Sequence, residues 1–592
     1  MDSEVRNCQN CKNEFTIKLE DFLFYEKMKV PPPTWCPECR MIRRMVFRNL
    51  RFLYKRNVFG SENEVYSAFA SDLPLSIHDE KAWVDQPSPM KDREYDFSRP
   101  FFEQFRELMH KVPWPSGYNR FSINSEFCNN VYSLKNCYLV FNAGYSEDCY
   151  YGTDIIRSKN SVDLLKVVDS ILSYELFDCE KCYRAFYSTN CKECVDVYFS
   201  SNLVDCHDCV GCINLKHKHY YIFNQPYSKK KYFEKLKEFN LGSFTGVSAM
   251  KAQTKTHFLK FPHRFMSGFQ NDQVVGDYVS YSKNCSRVFY SRDLEDSSYC
   301  QFILFAPGRN SYDMSIAGGE LCYEIAEMGG YQSKFSWYSG DSKLGTKTAG
   351  LQYSMFCFDS MNLFGCVGLR KKSYCILNKQ YSKEEYEKIL PRIIEHMGIM
   401  PYKDVQGRVY RYGEFFPPDL SPFAYNETIA QDYFPLTKEG ALARGYRWRE
   451  GEGKKYRSTV SAVELPDHIK DTDDSVLKEI IECSHSRACS HQCIGAFKII
   501  PQELQLYREL NIPLPRLCHE CRYEERASQR NPLRLWHRSC MCAGEKSDNG
   551  VYTNQMGHFH KTEHCINEFE TSYAPERPEI VYCEQCYQAE VI

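Results

Sequence analysis

No apolar run in the sequence approaches the length that crosses a bilayer. The first residues, Met1-Asp-Ser-Glu-Val-Arg-Asn-Cys8, carry neither the basic patch nor the apolar stretch of a secretory leader. Membrane insertion and export are therefore not expected, and a cytoplasmic location is. Net charge is lacking too, since 75 Lys and Arg stand against 77 Asp and Glu. No global field draws such a chain to nucleic acid or an anionic membrane, so binding of that kind has to be local. Also absent are a Gly-rich phosphate loop, a Gly-x-Ser-x-Gly elbow and a His-Glu-x-x-His helix. No catalytic residue and no small-molecule substrate is indicated.

Cysteine, by contrast, is abundant: 30 in 592 residues. In a small secreted protein that number would mean disulfides. In a long chain with no leader, with many of the thiols in Cys-x-x-Cys pairs, metal ligation and reduced thiols fit better. The length calls for several cores, and a 43% hydrophobic content can fill them.

Cys8-x-x-Cys11 followed by Cys36-x-x-Cys39 is the spacing of a zinc ribbon, in which two knuckles place four thiolates on one Zn2+. The C-terminal part repeats it. Phe15, Tyr25, Cys36, Glu38-Cys39-Arg40, Arg44 and Arg48-Asn49 match Phe497, Tyr507, Cys518, Glu520-Cys521-Arg522, Arg526 and Arg530-Asn531, an internal duplication. Cys493 takes the place of Cys11, and its nearest upstream thiol is Cys489. The second set is therefore expected to be Cys489, Cys493, Cys518 and Cys521, with Cys483, His485 and His491 crowding the same knuckle.

Beyond each ribbon the match resumes, with Val58, Ser61, Asp79 and Ala82 falling on Cys540, Cys565, Cys583 and Cys586. The early copy is expected to hold no metal here. In the late copy the knuckle is split by an insertion containing His558, His560 and His564. The third set is then Cys540, Cys565, Cys583 and Cys586, with Cys542 competing for the first position. Four thiolates leave no open position for water or substrate, so about three Zn2+ with a structural role are expected.

From about Phe127 to Leu215 an Asn or Asp precedes Cys again and again: Asn136-Cys137, Asp148-Cys149, Asp178-Cys179, Asn190-Cys191 and Asp205-Cys206, with Asn160-Ser161 in phase. The steps are multiples of three, which suits a β-solenoid with stacked ladders of Cys, Asn and Tyr. Cys179, Cys182, Cys191, Cys194, Cys206, Cys209 and Cys212 can be read as metal ligands. Their spacing follows the repeat, however, and favours small core residues. Gly211-Cys212, Tyr220, Ile222, Asn224, Tyr227-Ser228 and Tyr232 recur as Gly365-Cys366, Tyr374, Ile376, Asn378, Tyr381-Ser382 and Tyr386, each time before a helical stretch. The expected fold is mainly β with short helices, N- and C-terminal zinc ribbons flanking a two-part β-solenoid with capping helices. The expected domains are 1–90 (one ribbon and one degenerate ribbon), 91–245 and 246–397 (the two solenoid halves), 398–480 (an extended connection) and 481–592 (two ribbons).

Cys36-Pro-Glu-Cys-Arg40 with Arg43-Arg44, Asp96-Phe-Ser-Arg-Pro-Phe-Phe102, Glu147-Asp-Cys-Tyr-Tyr-Gly152, Ile500-Pro-Gln-Glu-Leu504 and Tyr573-Ala-Pro-Glu-Arg-Pro-Glu-Ile-Val-Tyr-Cys583 are distinctive. In these motifs, and over nearly its whole length, the chain resembles a family of uncharacterised zinc-ribbon proteins encoded in small bacterial genomes. The resemblance implies zinc binding and this domain order, and adds little about function. The thiols missing at Val58, Ser61, Asp79 and Ala82 depart from members with a full second ribbon.

The expected function is that of a non-enzymatic binding or scaffold protein with a macromolecular partner. The alternative is nucleic-acid binding through Arg40, Arg43, Arg44, Arg48, Arg51, Lys55 and Arg56, a segment without acids whose Arg44, Arg48, Arg51 and Lys55 would form one stripe on a helix. Pro532, where the matching copy has it in place of Leu50, argues that the helix ends near Arg48. A polymer-acting enzyme on the solenoid is the third reading.

Overall fold

The central region is built from a three-residue unit. The computed structural model describes residues 3–92, 94–316, 318–341, 348–450, 457–486, 488–489 and 492–591. In it every third residue from Asn130 to Asp208 has a positive φ, among them Asn136, Asp148, Asn160, Asp178, Asn190 and Asp205. Asn and Asp tolerate this left-handed conformation better than other side chains, which explains why they recur at these corners. The residue after each corner turns inward: Cys137, Cys149, Ser161, Cys179, Cys191 and Cys206 are all buried. Parallel partners lie twelve residues apart, as in Glu147↔Lys159 and Val195↔His207, so one coil is four triplets with four inward positions.

So narrow a coil has room only for modest side chains, and Cys, Ser, Ala, Val and Leu fill it. The polar ones among them serve the backbone. Ser146 Oγ accepts from the Ser158 N–H one coil on (3.2 Å) and donates to the Gly144 carbonyl (3.1 Å). Cys149 Sγ lies 3.4 Å from the Glu147 carbonyl and 3.3 Å from that of Ser158. Ten cysteines line the first stack in this way and six the second. More than half of the thiols are thereby explained as packing, Cys179 to Cys212 among them. The expected ladders are present: Asn136 donates to Asp148, Asn202 to Asn214, and the rings of Phe186 and Tyr198 stack at 4.9 Å.

The first stack runs from Asn119–Arg120 to Gln225–Pro226 as one twelve-stranded sheet. A second runs from Gly268–Phe269 to Lys379–Gln380, with steps of eleven at Tyr312↔Tyr323 and twelve at Leu351↔Leu363. Both end alike. A last parallel strand, His219–Ile222 or Ser373–Ile376, folds back antiparallel on two residues. Asn224 or Asn378 closes the coil by bonding both the N–H and the carbonyl of Ile213 or Val367. A helix follows in each case, Lys229–Glu238 or Lys383–Ile399, started by Ser228 or Ser382 as N-cap.

The chain divides into two compact units whose membership crosses the sequence. Met1–Gly117 joins Met266–Glu450, so the N-terminal module packs on the second stack; Tyr118–Phe265 joins Gly451–Ile592, so the C-terminal module packs on the first. The stretch expected to be a plain connection is shared between the units, and its Glu414 is built into the first. Among the described residues no helix is long and apolar enough to cross a membrane.

Candidate metal centres

Four ribbon modules share one local plan. Each begins with a two-stranded hairpin, Glu4–Asn7 with Glu14–Ile17, Tyr54–Asn57 with Glu64–Ser67, Ile481–Glu482 with Ala496–Phe497, and Trp536–Ser539 with Glu568–Thr571. The residue after the first strand is Cys8, Val58, Cys483 or Cys540, and the residue three before the second strand is Cys11, Ser61, Cys493 or Cys565. A short helix supplies the other two positions. Cys36, Asp79, Cys518 and Cys583 immediately precede the helices Pro37–Met45, Glu80–Asp85, His519–Ala527 and Glu584–Val591, and Cys39, Ala82, Cys521 and Cys586 lie in their first turns. A helix N-terminus favours a thiolate, because its unpaired N–H groups and dipole face the sulfur.

Three modules therefore gather four thiols each: Cys8, Cys11, Cys36 and Cys39; Cys483, Cys493, Cys518 and Cys521; and Cys540, Cys565, Cys583 and Cys586. Within each group all sulfurs lie within 4.8 Å of one another. The details repeat. The N–H of the third cysteine donates to the sulfur of the first at 3.2 Å (Cys36 to Cys8), 3.3 Å (Cys518 to Cys483) and 3.2 Å (Cys583 to Cys540). The second and third sulfurs stand 3.8, 3.8 and 3.9 Å apart. Such crowding splits the thiols electrostatically. Cys8 is pushed far below the usual thiol range by hydrogen bonds from Cys36 and Cys39, and Cys483 and Cys583 are lowered in the same way. Cys39, Cys521 and Cys586 are driven far up by the same neighbours. Each group could hold a metal ion, which would keep all four sulfurs deprotonated, and the donor set fits a soft or borderline divalent ion in tetrahedral coordination.

Two sequence expectations are corrected here. The second group contains Cys483 and not Cys489. The strand Ile481–Glu482 sets Cys483 opposite Gly495, its N–H on the Gly495 carbonyl at 3.0 Å, and the residues between Cys483 and Cys493 are an insertion in the knuckle. Choosing the thiol nearest in sequence to Cys493 missed this insertion. Cys489 stands instead beside His485 and Cys521; His491 lies outside the described residues. In the degenerate module the Asp79 carboxylate accepts from the N–H groups of Lys81 and Ala82, capping the helix where the other modules have a thiol.

The second correction concerns the basic segment, which forms no surface stripe. The helix ends at Met45, and Arg40, Arg43, Arg44 and Arg48 are buried. Arg40 and Arg44 both reach Asp313, at 2.9 Å each. Arg43 joins Glu324 and Glu414, at 2.7 Å each, and Arg48 pairs with Glu327. Arg51 pairs with Asp432 at 2.7 Å, Arg56 donates to the carbonyls of Ala70 and Leu75, and only Lys55, paired with Glu64, is well exposed. Burial opposes the charge of Arg40 and Arg43, but the facing carboxylates outweigh it and hold both above the ordinary guanidinium range.

The C-terminal copy makes the same joint. Arg522 and Arg526, the counterparts of Arg40 and Arg44, both reach Asp163, at 2.9 and 2.8 Å. Asp163 and Asp313 are left-handed corners of their stacks. Asp21 and Glu503, matched in the duplication, are buried acids that accept from the hydroxyls of Tyr299 (3.2 Å) and Tyr151 (3.0 Å). Sequence reasoning missed these acids as partners. The signal that could have found them was a set of arginines preserved in register across the duplication without any basic surface to serve.

No family model matches the chain, and no curated relative does either. A solved structure of a candidate acetyltransferase from Desulfovibrio desulfuricans G20 aligns with 49% of this chain and 85% of its own at 9% identity, with a TM-score of 0.10, and carries no argument.

Proposed function

We propose that the protein is a zinc-stabilised, non-enzymatic scaffold, in the manner of the bacterial zinc-ribbon proteins it resembles, and that its metal centres are structural. One observation carries this reading: each of two equivalent four-thiol groups sits at the N-terminus of a helix whose arginines are buried against corner carboxylates of a solenoid stack. A metal in that position fixes the helix that docks the module. Four thiolates complete the coordination of zinc and leave no place for substrate or activated water. The nucleic-acid alternative loses its support, because the arginines that would follow a phosphate backbone are spent on buried acids.

A surface for a macromolecular partner fits the outward column Ile171, Tyr183 and Val195, one residue per coil in direct register, exposed by 37, 43 and 40%. The test has two parts. Elemental analysis of reduced, never-chelated protein is expected to find at least about three zinc ions per chain; one or none contradicts the reading. Tyr183→Lys with Val195→Lys is expected to abolish capture of a co-purifying macromolecule while leaving zinc content and melting temperature unchanged. Undiminished capture removes this face from the account.

A further inference from the structure

We propose that the C-terminal lobe holds a dinuclear metal centre in which the Cys586 thiolate bridges two ions. Cys586 Sγ belongs to two ligand sets at once. One is the four-thiol group with Cys540, Cys565 and Cys583; the other is Cys542, His558 and His560, whose ligand atoms also lie within 4.8 Å of one another and of Cys586. Cys542 Sγ is 3.0 Å from His558 Nδ1, and His560 Nε2 is 3.2 Å from Cys586 Sγ.

Each imidazole is held from its far nitrogen. His558 Nε2 lies 2.8 Å from a Glu590 carboxylate oxygen, both side chains being fully buried, and His560 Nδ1 lies 2.7 Å from the Glu563 carbonyl. An acceptor on one ring nitrogen fixes the tautomer and aims the other at a metal, the arrangement found around ligating histidines. Cys542 Sγ accepts from Asn554 Nδ2 at 3.2 Å, which supports a thiolate there. The third histidine of the insertion takes no part, since His564 Nε2 faces Asp548 at 2.8 Å.

Charge supports the pairing. Four thiolates on one divalent ion leave two net negative charges, whereas a second ion that takes Cys542 as a thiolate and shares Cys586 leaves one, in a lobe where all five sulfurs are buried. Sharing Cys586 gives each ion four donors, four sulfurs for the first and two sulfurs with two nitrogens for the second, and both are tetrahedral zinc sets. Sequence explains why this lobe has the second set and the degenerate module does not. The insertion that splits the knuckle between Cys540 and Cys565 brings Cys542, His558 and His560, whereas only two residues separate Val58 from Ser61 in the degenerate module.

The inference rests on the reading of the four-thiol groups as metal sites, and the experiment separates the two. Full-length protein is loaded with 113Cd under reducing conditions and studied by NMR, and its metal content is compared with that of the double variant His558→Ala, His560→Ala. The expected result is two cadmium resonances coupled to each other through the shared sulfur, and a loss of about one ion per chain in the variant, with the remaining sulfur-only resonances retained. Wild type and variant with equal metal content and no cadmium–cadmium coupling overturn the dinuclear centre and leave the four-thiol sites standing. One lost ion without coupling overturns the bridge. Absence of every four-sulfur resonance overturns both readings. The coupling is read on the unaltered chain, so a variant that fails to fold does not spare the proposal.

Discussion

At the scale of the residue, the central stacks ask two things of each triplet: a corner that accepts a left-handed backbone and an inward side chain of limited size. Cys194 illustrates the second. It is fully buried, and its sulfur lies 3.2 and 3.5 Å from the carbonyls of Lys192 and Leu203. Serine offers the same donor in a smaller volume and already fills the same column, at twelve-residue steps, at Ser146, Ser158 and Ser170. Cys194→Ser is therefore expected to fold with little loss in a denaturant titration, whereas Cys194→Phe overfills the coil and costs about 1–3 kcal/mol. Asp163 illustrates the corner that also carries a joint. Asp163→Asn keeps the backbone preference but leaves Arg522 and Arg526 buried without a full counter-charge, at a cost of about 3–5 kcal/mol by the same measurement. The triplet was legible in the sequence, because Asn or Asp before Cys in steps of three is a local pattern. The acids that receive the arginines were not, because Asp313 lies 273 residues beyond Arg40.

At the scale of the element, the ribbon is a hairpin and a helix with, in three of the four, a cysteine at each junction, and that plan explains where reading thiol groups from spacing agrees with the structure and where it does not. In the first module the knuckle is short, and Cys8-x-x-Cys11 names its own ligands. In the second the hairpin is interrupted, so the thiol nearest in sequence, Cys489, differs from the thiol at the strand end, Cys483. Cys483→Ser is accordingly expected to lower zinc retention against a chromophoric chelator more than Cys489→Ser, and the reverse order contradicts the assignment. In the degenerate module Asp79 caps the helix with its carboxylate, so restoring a single thiol at Asp79 is expected to add no metal. The arginine helix misled for a related reason. A run of arginines with no acid from Arg40 to Arg56 reads as a solvated or phosphate-binding face, and only the tertiary packing supplies Asp313, Glu324 and Glu414.

At the scale of the whole molecule, chain order and packing order are crossed: the first module serves the second stack and the last module serves the first. Internal similarity made the duplicated pair of ribbons at each end, and two stacks, visible in the sequence. Nothing local records which module serves which stack, because the joints are written in the same residues, Arg40 and Arg44 on Asp313, and Arg522 and Arg526 on Asp163. The metal centres and these joints make one claim together, that the ions hold the docking helices in place. Hydrogen–deuterium exchange on full-length protein before and after removal of metal under reducing conditions tests it most directly. The account predicts that stripping the metal sharply raises exchange in Pro37–Met45 and His519–Ala527, while the parallel strands Lys159–Val168 and Tyr174–Glu180 within the first stack keep their protection. Unchanged exchange in both helices after complete metal loss would contradict it.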